Sequence, residues 1–202
     1  MLARHLEGDP RAFGDLVDRY GGGIYAYLYR SGLQRPAADD LFQETFLRVH
    51  RSAGRYDAGH AFQTWLYTIA TNLVRSHYRK RKVRRIMTGW WRRSPGDPQG
   101  EAVPLDPPDP AADPEVRVGD KERVGLIEQA LGDLPDGPRR ALLLTRVEGM
   151  SLAQAADALG VGVPTVKTWV RRGRLALADA LASADAHGQA AAASPEGQGE
   201  VK

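Results

Sequence analysis

The stretch that decides the fold runs from Ser151 to Leu177, SLAQAADALGVGVPTVKTWVRRGRLAL. Ser151 is placed to cap a short helix, its hydroxyl accepting from a first-turn amide. Leu152, Ala155, Ala156 and Leu159 then fall on one apolar face. Gly160 supplies the left-handed residue that ends the helix, and Val161 and Val163 are expected to plug the turn. Pro164 suits the first turn of the next helix, where its missing N–H costs nothing. That second helix would bury Val166, Trp169 or Val170, Gly173 and Leu177. Lys167, Arg171 and Arg174 would face outward, beside Thr168 and Arg172. A short helix, a tight turn and a helix with a basic outer face make a helix-turn-helix, the geometry that fits a DNA major groove. An ordinary helical hairpin with a solvated basic face shares the periodicity. The glycine turn and the small alanines, which let the helices approach closely, favour the groove binder.

Outward from this motif the pattern stays helical. Leu41, Phe42, Thr45, Phe46 and Val49 line one helix face, and Phe62, Trp65, Leu66, Ile69, Ala70 and Leu73 line another. No run alternates with period two, so the predicted class is all-α. SPGDPQGEAVPLDPPDPAADPEV, residues 94–116, holds seven of the thirteen prolines. Proline excludes helix interiors and sheet ladders, so this stretch reads as a flexible Pro/Asp-rich linker. The expected organisation is two small helical domains, 1–93 and 116–183, joined by a linker at 94–115 and followed by a disordered tail at 184–202.

The net charge of +3 conceals a segregation. Arg75 to Arg93 carries nine Lys/Arg and no acid, whereas Ser94 to Val116 carries six acids and no base. Such a basic block suggests a polyanionic partner, nucleic acid being the commonest, although a solvated helix end has the same composition. There is no cysteine, which excludes disulfides and thiolate chemistry and fits a reducing, cytoplasmic setting. No apolar run is long enough to span a bilayer, so no membrane insertion is expected. The five histidines are scattered, and GGG at Gly21 to Gly23 lacks the Lys and Ser/Thr of a phosphate-binding loop. No catalytic residue, metal site, cofactor or small-molecule substrate is therefore expected.

Four motifs in order carry a resemblance: GDPRAFGDLVDRY (8–20), AADDLFQETFLRVHR (37–51), FQTWLYTIATNLVRSHYRKRKVRR (62–85) and LPDGPRRALLLTRVEGMSLAQAADALGVGVPTVKTWVRRGR (134–174). Together they resemble the extracytoplasmic-function sigma factors of the sigma-70 family. The resemblance implies a bacterial transcription-initiation factor that binds core RNA polymerase and promoter DNA and catalyses nothing itself. It implies that Asp40, Gln43 and Glu44 meet a coiled coil of the polymerase's largest subunit, with the flap as a second contact. Offsets of 3 and 4 do place these three residues on one helix face.

The resemblance further implies that Asn72, Arg75, Arg79 and Lys80 meet the −10 element. Tyr56 and His60, in the preceding loop with Phe62, would receive an unpaired base. Thr165, Lys167, Thr168, Arg171, Arg172 and Arg174 would meet the −35 element. Thr68 and Thr71 are expected to point outward with Asn72, and Trp65 to lie in the core. An anti-sigma factor is implied by the resemblance alone.

Three positions depart from the family pattern, Ser76 for an Asp, Gly162 for a Ser and Trp169 for a basic residue, which bears on promoter preference. Elements one and a half turns apart lie ~50 Å apart along DNA. A free coil of the linker's length would span only ~26 Å, so the linker must be held stretched. Two other readings compete: a dimeric helix-turn-helix regulator acting without polymerase, and a nucleic-acid-processing enzyme.

Overall fold

A computed structural model describes the backbone of residues 1–91 and 118–192, and the side chains of residues 1–83 and 124–183. The described residues are helical and contain no strand. In order they form α1 (Leu2–Leu6), α2 (Ala12–Arg30), α3 (Arg35–Ser52), a 3₁₀ turn (Ala53–Arg55) and α4 (Phe62–Trp91). The second half comprises α5 (Val118–Asp133), α6 (Asp136–Leu142), a π turn (Leu143–Val147), α7 (Leu152–Leu159) and α8 (Val163–Ala192). The expected linker lies outside the described residues.

In the first half, α3 packs against both α2 and α4, and α1 closes one end against α2. Leu16, Ile24, Tyr27 and Leu28 of α2 meet Phe46 and Val49 of α3 and Leu66, Ala70 and Val74 of α4 in a buried core. Thr71, expected to face outward, is instead fully buried, and its hydroxyl pairs with that of Tyr27 at 2.8 Å. Burial raises the Tyr27 hydroxyl's pKa, so the group stays neutral and needs this partner. The sequence pattern missed Thr71 because its hydroxyl made it look solvated. Trp65, expected in the core, is half-buried within an aromatic group with Tyr56 and Phe62.

In the second half, α8 lies along α6 and takes α5 and α7 on its flanks. The turn chemistry holds. Gln154 N–H donates to Ser151 Oγ at 3.2 Å while Ser151 N–H donates to Gln154 Oε1 at 2.9 Å, a reciprocal cap. Gly160 has φ +64°, the left-handed conformation a side chain would strain. Two apolar expectations are corrected: Leu152 is 37% exposed and Val163 is 42% exposed. The buried face of α7 is Ala155, Ala156, Ala158 and Leu159, which turns its first residue past the edge of the interface. The backbone of α8 runs on to Ala192, past the boundary expected at residue 183. Its last turns are rich in alanine, the strongest helix former. Residues 193–202 lie outside the described ones.

The buried side chains of the two halves form one continuous cluster. Its bridge is α4, which faces the first-half core on one side and takes α7 on the other.

Candidate nucleic-acid interface

The recognition helix is built from beneath. Val166, Val170 and Gly173 of α8 are buried and Leu177 is partly so, and this inward stripe fixes which side chains turn out. Thr165, Lys167, Thr168, Arg171, Arg172 and Arg174 are all exposed. None of the four cations has an ion-pair partner among the described residues. Trp169 is held differently. It lies across Gly137 of α6, where a Cβ would come within 2.7 Å of the indole Cε2. This tryptophan belongs to the packing between α6 and α8, which explains how it replaces a basic residue without exposing an apolar ring.

On α3, Asp40 and Gln43 are exposed and Glu44 is intermediate. They stand opposite Ala38, Thr45, Phe46 and Val49, which are buried. Glu44 accepts from Arg48 Nε at 2.7 Å within the same helix. That exposed pair contributes well under 1 kcal/mol, so the carboxylate stays available to a partner.

Asn72, Arg75, Arg79 and Lys80 are exposed on α4. Beside Asn72 an open cleft of about 420 Å³ is lined by Arg48, Arg51, Ser52, Arg55, Ile69 and Asn72. Three guanidiniums above an apolar floor, next to an amide that offers a donor and an acceptor, can hold a phosphate and a base edge together. Arg51 and Arg55 have no ion pair among the described residues. Sequence reasoning missed this trio, although the spacing 48, 51, 55 places them along one helical face. His77, further along α4, is held below its ordinary pKa by burial and by Arg81 and Lys80. It therefore stays neutral beside the basic run.

The expected base-binding loop is partly self-engaged. Tyr56 is half-buried, packs at 5.8 Å from Phe62 and 5.1 Å from Trp65, and donates its hydroxyl to His60 O. His60 is exposed, 3.7 Å from Asp57. Arg75 is also engaged, donating to the carbonyl of Leu159 in the second half.

Among the described residues no group of three or more His, Asp or Glu is placed to hold a metal, and no helix is long and apolar enough to cross a membrane.

Comparison with known proteins matches this geometry to one family. The profile for Sigma-70 region 2 covers residues 16–84, and that for Sigma-70 region 4 covers 125–177. The chain is 34% identical over 171 residues to the ECF RNA polymerase sigma factor SigW of Bacillus subtilis, covering 85% of this chain and 89% of that one. It is 32% identical over 186 residues to the RNA polymerase sigma factor CnrH of Cupriavidus metallidurans, covering 92% and 94%. Among solved structures, CnrH in complex with the cytosolic domain of CnrY aligns with a TM-score of 0.62 at 25% identity, over 90% of this chain and 95% of that one. RpoE of Bartonella quintana, in complex with the anti-sigma factor NepR, shares the fold with a TM-score of 0.66 at 23% identity, over 85% and 97%. The chain therefore belongs to the extracytoplasmic-function sigma factors of the sigma-70 family, the promoter-recognising subunits of bacterial RNA polymerase.

Proposed function

We propose that the two halves divide promoter recognition, with polymerase docking assigned to the outer face of α3. Asp40, Gln43 and Glu44 meet the coiled coil of the largest subunit. Asn72, Arg75, Arg79 and Lys80, with Tyr56 and His60 of the adjoining loop, meet the melted −10 element. The cleft under Arg48, Arg51 and Arg55 adds anchorage for its phosphates. Thr165, Lys167, Thr168, Arg171, Arg172 and Arg174 read the −35 element as duplex, and the same half meets the flap. The observation that carries this reading is the recognition helix itself: every candidate contact on it is exposed while its inward stripe is buried.

Neither half needs high affinity. Seating both on one polymerase makes the second contact effectively intramolecular. An anti-sigma partner is proposed on the ground that NepR, bound to a sigma factor of the same fold, is an anti-sigma factor.

The test is co-elution with sigma-free core RNA polymerase. The chain is expected to co-elute, and Gln43→Ala/Glu44→Ala to weaken this. A chain that ignores polymerase yet shifts duplex DNA alone would replace the reading with a free-standing regulator.

A further inference from the structure

α4 is longer than the core it serves. Its last buried residue among those described is Val74, and Tyr78, half-buried, ties the helix to the end of α2 by donating to Ser31 O at 2.9 Å. Arg79, Lys80, Arg81, Lys82 and Val83 are all exposed, Val83 by 49%. The helical backbone nevertheless continues to Trp91, so roughly 20 Å of helix runs past Tyr78. The Sigma-70 region 2 profile stops at residue 84 and does not account for the end of this helix.

The residue types along the extension follow a pattern that promoter binding does not use. Arg79 to Trp91 holds six cations and no acid. Among them, Val83, Ile86, Met87 and Trp90 recur at offsets of 3, 4 and 7, which on a helical backbone is a single row. Arg81, Lys82, Arg84 and Arg85 fall outside that row. A nucleic-acid backbone is neutralised by the cations alone and gives no reason for aliphatic residues at helical spacing. An anionic lipid surface uses both: cations meet the headgroups, while aliphatic residues and tryptophan settle at the headgroup boundary. No described helix is long and apolar enough to cross a membrane, but lying on one requires only an apolar row.

We propose that the end of α4, from Arg79 to Trp91, is an interfacial segment that adsorbs to anionic lipid, with Val83, Ile86, Met87 and Trp90 as its apolar row. This does not rest on the promoter assignment of α4. Arg79 and Lys80 are also proposed for the −10 strand, so one chain serves one surface at a time.

The test is flotation of the full chain with two kinds of vesicle, pure phosphatidylcholine and phosphatidylcholine with about one-third phosphatidylserine. Binding is expected to the anionic vesicles alone and to weaken as salt is added. It should shift the tryptophan emission to the blue. Trp65 and Trp169 are already packed against neighbouring residues, so Trp90→Phe/Trp91→Phe should bind and lose the shift. Arg81→Gln/Lys82→Gln should weaken vesicle binding by about fivefold per charge. Val83→Ser/Ile86→Ser/Met87→Ser, neutral changes in the row, should weaken it by about tenfold or more and leave elution from a heparin column unchanged. Trp90→Ser alone should act in the same direction. Unchanged helicity and urea midpoint would show that the variants fold. Equal flotation with both vesicles, or with neither, would overturn the proposal. So would anionic flotation that the row variants leave intact, which would mark a contact made by cations alone, as with nucleic acid.

Discussion

The two nucleic-acid helices of this chain stand in opposite conditions. Every cation proposed to read duplex DNA on α8 is exposed and without an ion pair among the described residues. On α4, Arg75 is tied to a backbone carbonyl of the other half, and the neighbouring surface is covered by α7. The difference lies in what packs behind each helix. α8 has a single buried stripe, so its outer face remains free. α4 has two, one toward each half, and its solvent face is reduced to a strip around Asn72 and the basic run beyond it. The proposed duplex-reading face is thus open in this structure, whereas the proposed single-strand face is partly covered.

The strongest way to break this contrast is on α8. Arg171→Ala/Arg174→Ala should lower holoenzyme affinity for a −35 duplex by roughly tenfold or more and reduce the salt slope of binding by about 2. Single-strand binding should be unchanged. Titration of labelled duplex at several salt concentrations reads both numbers, and an unchanged slope would remove these arginines from the contact.

Next in size is Thr71→Val, which leaves the Tyr27 hydroxyl buried without its partner. It should cost about 1–3 kcal/mol in urea unfolding, with duplex binding intact. Ser151→Ala should cost about 1 kcal/mol by loss of the cap, and here it is duplex binding that should suffer, because the cap sets the start of the helix-turn-helix. Equal effects of the two substitutions on duplex binding would contradict the independence of the two surfaces.

These substitutions also mark what could be read without a structure. The helix-turn-helix was legible because its determinants are local: Ser151 and Gln154 are three residues apart, and Gly160 sits where the helix must stop. The acidic face of α3 was legible for the same reason. Thr71 was missed because periodicity finds one apolar stripe, and a helix packed on two sides buries polar residues between stripes. The contact between the two halves left no signal at all. Tyr67 and Glu148 are 81 residues apart, and Arg75 and Leu159 are 84 apart. Nothing in either segment names the other. The arginine cleft lies between these extremes, with its helical spacing visible and its apposition to Asn72 and Ile69 not.

The smallest expected effect is one of pH. Burial holds the Glu148 carboxyl above its ordinary value of 4.5, opposed by the Tyr67 hydroxyl and by Arg30 of α2; Gln63 of α4 faces its backbone carbonyl. A raised pKa in the folded chain means that the fold holds the proton more tightly than the unfolded chain does. Its contribution is complete below the ordinary value and is lost as pH rises through the raised one. Stability in urea should therefore fall modestly as pH rises from 4.5, and Glu148→Gln should flatten that response.

The π turn at Leu143–Val147 carries a consequence of another kind. Its defining bond, from Glu148 N–H to Leu143 O at 3.0 Å, spans one residue more than an α-helical bond. Such a turn is equivalent to a single inserted residue in a continuous helix, and one residue amounts to about 100° of rotation. Removing one residue between Leu143 and Val147 would restore an α-helical register and swing Glu148 off Tyr67, leaving the reciprocal cap at Ser151 and the recognition helix chemically untouched. One residue in this turn therefore decides whether the Glu148 carboxylate faces the Tyr67 hydroxyl.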